Sequence, residues 1–374
     1  MTPVDLSTTV LHAVRRAVRE DALRAPVPAR VRVERTRPGG RGDYASAVAL
    51  QLAGLAGLRA GEVAEILRDR LAGAPGVAGV EITGPGFLNF TLDAATGAAA
   101  HRDLVHRVRE QGRRYGHGDA LAGQRLRLGH AREVRAAVTA DAVRRLLTAQ
   151  GADVHLACDG EPDPDWARLG VGTEAYGMPQ AEAPGAAHDE PRVPGAQAEA
   201  LIRPVPAGDT AAALPARLGR DAARWGLLSV AGHDRAPLGP GLLAQTEANG
   251  LFRVRYAHAR ARAVLRGADR LGVAVAGPGE DIDATGAAGL LTLLDAHPGV
   301  LAGAARHRAP DRLVRHLDAV AAAFFDFHDA APPLPVGEEK PSAAHRSRTA
   351  LAEAAGTVLA GGLSLLGVSA PEHL

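Results

Sequence analysis

Apolar side chains at Leu6, Val10, Val14 and Val18 recur every four residues, which predicts an amphipathic helix that Pro26 to Pro28 bring to an end. Val31-Arg32-Val33-Glu34 then alternates with the period of a strand. Residues 43–56 and 61–72 predict two more amphipathic helices, the second with Val63, Ile66, Leu67 and Leu71 on one face. Val77–Thr83 and Phe87–Leu92 read as strands joined by the Gly84-Pro85-Gly86 turn, completing a small α+β unit.

Farther along, Arg125–Leu128 and Val154–Ala157 read as strands around a helix over Ala136–Leu147, one β-α-β-like piece. Periodicity lapses from Asp159 to Pro194, a run dense in Pro, Gly, Ala, Asp and Glu that reads as a linker. From Ala211 onward the pattern is helical, with helices expected over 211–231, 240–272, 283–295, 310–328 and 342–366. The boundaries that follow are 1–120 for the α+β domain, 121–205 for a short α/β piece with its linker, and 206–374 for a helical bundle.

Composition narrows the chemistry. Hydrophobic residues make up 46% of the 374 positions and charged residues 23%, with no uninterrupted apolar run long enough to cross a bilayer. The first residues mix charges into their apolar pattern, unlike an export signal, so the expected compartment is the cytoplasm, with no membrane partner. Cys158 is the sole cysteine, which excludes an internal disulfide and a multi-thiolate zinc site. Lys340 is the sole lysine, which excludes a phosphate loop ending in Gly-Lys-Ser/Thr and a lysine nucleophile anywhere else. Gly170-Val171-Gly172-Thr173-Glu174-Ala175 mimics a dinucleotide fingerprint but lacks a strand before it and a helix after it. Asp163, Asp165, Glu182, Asp189 and Glu190 read as a solvated acidic run, and neither a metal site nor a catalytic residue is expected.

A net charge of +1 exerts no global pull on nucleic acid, so the distribution of charge decides. Arg253, Arg255, Arg260, Arg262, Arg266 and Arg270 fall within eighteen residues, with Asp269 the one acid among them. On charge alone such a cluster describes a solvated helix face paired with acids elsewhere; guanidinium planes can also pair with phosphates and stack on bases.

Three blocks in order resemble the arginyl-tRNA synthetase family. Asp43-Tyr44-Ala45-Ser46, Val48 to Ala53, Glu62-Val63-Ala64 and Gly84-Pro85-Gly86-Phe87-Leu88-Asn89-Phe90 are similar to its additional N-terminal domain. Asp221-Ala222-Ala223-Arg224-Trp225, Tyr256-Ala257-His258-Ala259-Arg260 and the ending Gly362 to Val368 with Ala370-Pro371-Glu372 resemble its DALR anticodon-binding domain. The resemblance implies an α/β and α multidomain fold: a small α+β domain, a truncated Rossmann-like remnant, and an all-α bundle. It also implies tRNA as the partner, with Phe87 and Asn89 toward the D-loop and Arg253, Arg255, Tyr256, His258, Arg260 and Arg262 on the anticodon side. The family has Gln where Arg255 stands and an aromatic where Arg253 stands, and both changes add charge.

The middle departs from the family. Its His-x-Gly-His turn corresponds here to Arg127-Leu128-Gly129-His130, leaving Gly129 and His130 as a degenerate remnant. Its later Lys-Met-Ser-Lys loop corresponds to Arg203-Pro204-Val205-Pro206-Ala207-Gly208, with neither lysine nor serine. The expectation is a shortened, monomeric tRNA-binding paralogue, specific for arginine tRNA by ancestry, that serves a protein partner using charged tRNA and takes no cofactor. The alternatives are an arginine-tRNA ligase, which would need ATP, and a protein-interaction scaffold that has lost RNA.

Overall fold

The computed structural model describes residues 3–36, 41–172 and 196–374, which fall into two compact units, the first ending at Asp103 and the second beginning at Leu104. In the first, α1 (Pro3–Arg19), α2 (Val48–Ala56) and α3 (Ala60–Leu71) cover a sheet of β1 (Glu34–Arg35), β2 (Tyr44–Ser46), β3 (Val77–Thr83) and β4 (Phe87–Leu92). The strand order is β1-β2-β4-β3, antiparallel throughout. Leu6, Val10 and Val14 of α1 meet Val63, Leu67 and Leu71 of α3 and Leu88 and Phe90 of β4 in one core. Two expectations shift here. Tyr44–Ser46 pairs with β4 and is a strand rather than the start of a helix, and the alternating stretch from Val31 yields only the two-residue β1.

The helix α4 (Ala94–Gln111), absent from the sequence reading, leads into the second unit. There β5 (Arg125–His130), α5 (Val134–Ala149) and β6 (Asp153–Cys158) form the expected β-α-β crossover, and β7 (Ala196–Ile202) adds a third strand in the order β6-β5-β7, all parallel. The second part of the predicted linker, residues 173–195, lies outside the described residues, and Glu182, Asp189 and Glu190 with it. Its first part is ordered: Pro164–Leu169 forms a tight helical turn capped by Asp163, with Trp166 and Leu169 buried. Asp165 is paired with Arg168 rather than set for a metal.

The helices α6 (Ala213–Leu228), α7 (Gly250–Arg270), α8 (Ala288–His307), α9 (Pro310–Ala330) and α10 (Ala343–Leu365) follow. They share one core with the sheet: Leu128, Leu156 and Ile202 belong to the same buried cluster as Leu214, Leu290, Leu317 and Leu363. The long helix expected over 240–272 is interrupted, because Asn249 caps a fresh start by accepting a hydrogen bond from the Leu251 amide. The helix expected to stop at 295 instead runs through Pro298 to His307. Proline cannot supply the amide that would bond the Leu294 carbonyl. The Tyr115 hydroxyl donates to that oxygen instead, at 3.1 Å. By length and composition α8 could cross a bilayer, but Leu290, Leu291, Leu294 and Leu301 are packed into this core.

Candidate nucleic-acid interface

Helix α7 presents Phe252, Tyr256 and Arg260 at four-residue intervals, so the three side chains rise along one face. Phe252 and Tyr256 stack with ring centroids 5.5 Å apart and planes 9° from parallel. Phe325 of α9 stacks on Tyr256 from the other side, also at 5.5 Å. Tyr256 remains 40% exposed. Aromatic residues are 3% of this chain, so three in one partly exposed ladder is a marked concentration. Such a ladder offers flat faces on which unpaired bases stack, and the exposed Arg260 stands at its end.

The remaining arginines of the cluster do not form a free stripe. Arg253 is held by both carboxylate oxygens of Asp318, with Nε at 2.8 Å, and donates to the Glu247 carbonyl at 2.6 Å. Arg255 lies 3.8 Å from Asp221, and its Nε is buried without a partner. Arg262 pairs with Glu372 at 3.0 Å. His258 is only 2% exposed; Nδ1 donates to the Pro371 carbonyl at 2.9 Å, and burial lowers its pKa, so the ring is neutral and fastens the C-terminal segment. Sequence reasoning thus placed six residues at one surface, and the structure leaves Tyr256 and Arg260 most open to a ligand.

Beside the ladder lies a cleft of about 470 Å³ lined by Arg220, Asp221, Asn249, Phe252, Arg255 and Ser369, among others. Its wall bends at Gly219, whose φ of 74° breaks α6 where a side chain would be strained. Asp221 accepts from the Ser369 amide at 3.2 Å and so holds the C-terminal segment along one rim. An aromatic wall with hydrogen-bonding groups at the edge suits a splayed nucleobase. Phe252 and Phe325 were missed from sequence, although Phe252 stands one helical turn before Tyr256.

In the first unit Phe87 follows Gly86, where glycine is needed twice over: its φ is 142°, and a Cβ there would come within 2.8 Å of the Ala60 carbonyl oxygen. Phe87 is 39% exposed and available for stacking. Asn89 is 6% exposed, and its amide nitrogen is spent inside the hairpin on the Thr83 hydroxyl at 2.7 Å. The two therefore do not present a matched pair.

The degenerate signature also reads differently. Arg127-Leu128-Gly129-His130 is not a turn, since all four residues lie in β5, the central strand. The turn into α5 is Ala131-Arg132-Glu133. His130 is buried beside Trp166, with Nδ1 donating to the Ala131 carbonyl at 2.9 Å, and desolvation lowers its pKa. Glu133 caps α5: one carboxylate oxygen accepts from the Ala136 amide at 2.8 Å, the other from the Ala207 amide at 2.8 Å. A helix N-terminus at the end of a parallel strand is where a phosphate would sit, and here a carboxylate fills it. Arg135 then binds five backbone carbonyls, those of Val205, Leu227, Val230, Ala231 and Asp234. Among the described residues no group of three or more His, Cys, Asp or Glu side chains is placed to hold a metal ion.

The domain family described as "Arginyl tRNA synthetase N terminal domain" matches residues 5–92, and the "DALR anticodon binding domain" matches residues 254–374. An arginine–tRNA ligase of Renibacterium salmoninarum is 29% identical over 553 residues, with all of both chains covered. That alignment is longer than this chain of 374, so it carries long gaps on this chain's side. A Micrococcus luteus arginine–tRNA ligase is 41% identical over 169 residues, covering 41% of this chain and 30% of the relative. The fold is shared with Thermus thermophilus arginyl-tRNA synthetase (TM-score 0.66, 16% identity, all of both chains). It is shared too with Plasmodium falciparum arginyl-tRNA synthetase (TM-score 0.68, 9% identity, 100% of this chain and 99% of the other).

Proposed function

The chain is an arginyl-tRNA synthetase-like protein with that family's N-terminal and DALR anticodon-binding domains, and from this premise we propose that it binds tRNA without activating an amino acid. The Phe252–Tyr256–Phe325 ladder, with Arg260 and the adjoining cleft, carries the reading: it provides stacking faces and base-edge partners on the domain through which the family binds tRNA. Phe87 provides a further stacking face on the N-terminal domain. Two attachments on one chain raise the effective concentration of each for its site. The tRNA is that of arginine by ancestry, the protein acts as a cytoplasmic monomer, and an enzyme that uses charged tRNA is the fitting protein partner.

The absence of ligase chemistry rests on the phosphate positions. Amino-acid activation needs donors aimed at the ATP phosphates and the pyrophosphate leaving group. At the α5 N-terminus the Glu133 carboxylate would repel a phosphate and already takes up the Ala136 amide of the helix and the Ala207 amide of the segment after β7. In the segment after β7, Val205 and Ala207 are bonded to Arg135 and Glu133, and the sequence offers no lysine there. These residues do not fit ATP.

The end-to-end alignment with arginine–tRNA ligases favours one other reading, a ligase with residual or partner-assisted activity. Pyrophosphate exchange dependent on ATP and arginine decides between them: none is expected, and exchange above background would restore the ligase reading. Replacing Arg255, Tyr256 and Arg260 together by alanine should weaken tRNA binding, and unchanged binding would refute the assigned surface.

A further inference from the structure

Asp141 on α5 is 1% exposed and is touched by three guanidinium groups, Arg144 at 3.0 Å, Arg145 at 3.0 Å and Arg224 at 2.7 Å. One carboxylate balances one of these cations. Arg224 is its structural partner, being fully buried with its other nitrogens donating to the Leu366 and Leu169 carbonyls at 2.9 and 2.7 Å. Arg144 and Arg145 are left in surplus. Each spends one nitrogen on Asp141 while its side chain stays partly open to solvent, and the Arg144 Nε is buried with no partner.

A fourth cation stands nearby. Arg220, one turn before Arg224 on α6, is exposed, makes one long contact to the Gly367 carbonyl at 3.5 Å, and lines the cleft beside the aromatic ladder. Arg145 and Arg220 both lie close enough to Arg224 to act on its charge. Three guanidinium groups on Asp141, with Arg220 close to one of them, concentrate positive charge at this junction in a chain whose net charge is only +1, and an oxyanion would relieve it. Guanidinium forks match the oxygens of a phosphate, and the open ends of these side chains leave donors free to meet one.

Resting on the tRNA-binding reading above, we infer that Arg144, Arg145 and Arg220 form a phosphate-binding site at the α5–α6 junction that holds the tRNA backbone next to the base-binding cleft. The aromatic ladder would read or stack the bases, and this site would grip the strand that carries them. None of its three residues belongs to the arginine cluster on α7.

The test is tRNA binding by the full chain across a salt series, comparing wild type with Arg144→Gln/Arg145→Gln, with Arg220→Gln, and with Phe252→Ala/Tyr256→Ala. The arginine variants should bind about tenfold more weakly at low salt, with the slope of log K against log salt shallower by about one for each phosphate that the protein no longer neutralises. The ladder variant should lose affinity with its slope kept. Arg→Lys replacements at the same positions should restore most of the slope, which a merely structural role would not require. If the double variant fails to fold, Arg220→Gln decides alone. Wild-type affinity and slope in the folded arginine variants, alongside a weakened ladder variant, would overturn the phosphate site and leave tRNA binding standing. Failure of wild type to bind tRNA at low salt would overturn both.

Discussion

Tyr256 is left open, whereas much of the charge around it is already paired. Arg253, Arg255 and Arg262 each face a carboxylate, so much of the apparent basic stripe is cancelled within the fold. Replacing Tyr256 by alanine should cost about 1–3 kcal/mol in tRNA binding, the range for one stacked base, while phenylalanine should bind nearly as well as tyrosine. Equal losses in both variants, read by filter binding, would show that the hydroxyl and not the ring is used. Buried charge is a separate matter. Alanine at Arg224 would strand Asp141 with two partly solvated arginines, and urea unfolding should show a loss of about 3–5 kcal/mol. A loss under about 1 kcal/mol would deny the pair its structural role. At this scale the sequence was legible where a motif named a position and illegible where burial decided its use. His258 and Asn89 stand in recognisable motifs yet turn inward, and Phe325 joins Tyr256 only because α9 packs on α7, which no local pattern reveals.

Helix α8 shows why element boundaries escape local reading. Pro298 looks like a stop signal, but the carbonyl it leaves without a helical donor is served by Tyr115 from a distant segment. Tyr115→Phe should therefore destabilise the fold by about 1–2 kcal/mol, and the cost should shrink when Pro298→Ala restores an amide to bond Leu294. Thermal unfolding of the four members of this double-mutant cycle checks it, and strict additivity would contradict it. The strand β7, rich in alanine and lacking β-branched residues before Ile202, gave no strand signal and is defined by its parallel pairing with β5. The periodic helices α1, α3 and α9, by contrast, lie close to where their apolar faces put them. A column of rings on α8, α9 and the segment after α4 sets an acid limit. His297 stacks between Tyr115 and His316, with centroids 5.9 and 5.2 Å away. Burial, with the neighbouring His316 and His117, pushes His297 down to about 3, and burial pushes His316 down to about 4. The Arg107–Asp295 pair and His117 also face this region. Both rings are neutral in the folded state but take up protons when unfolded below about pH 6.5. Their stabilising contribution is therefore complete above that value and is lost as the pH falls through 6.5 toward the folded values. Chemical denaturation at pH 7 and pH 5 should show lower stability at pH 5, and His316→Phe should flatten the difference. An unchanged difference in that variant would separate the acid sensitivity from this column.

The whole molecule combines matches to an arginyl-tRNA synthetase N-terminal domain and a DALR anticodon-binding domain with a three-stranded parallel sheet, and the Glu133 carboxylate occupies the helix start at the end of its central strand. The two ends were readable because their motifs are long and occur in order. The middle was less legible: Arg127 to His130, expected as a turn, lies in the strand β5, and the turn that follows bears Glu133, whose carboxylate caps α5. The most direct test of the central claim is retention of total cellular tRNA by the purified protein at low and moderate salt, with the retained species sequenced. Salt-sensitive enrichment of one or a few tRNAs is expected. No retention even at low salt would contradict it and leave the chain a protein-interaction scaffold.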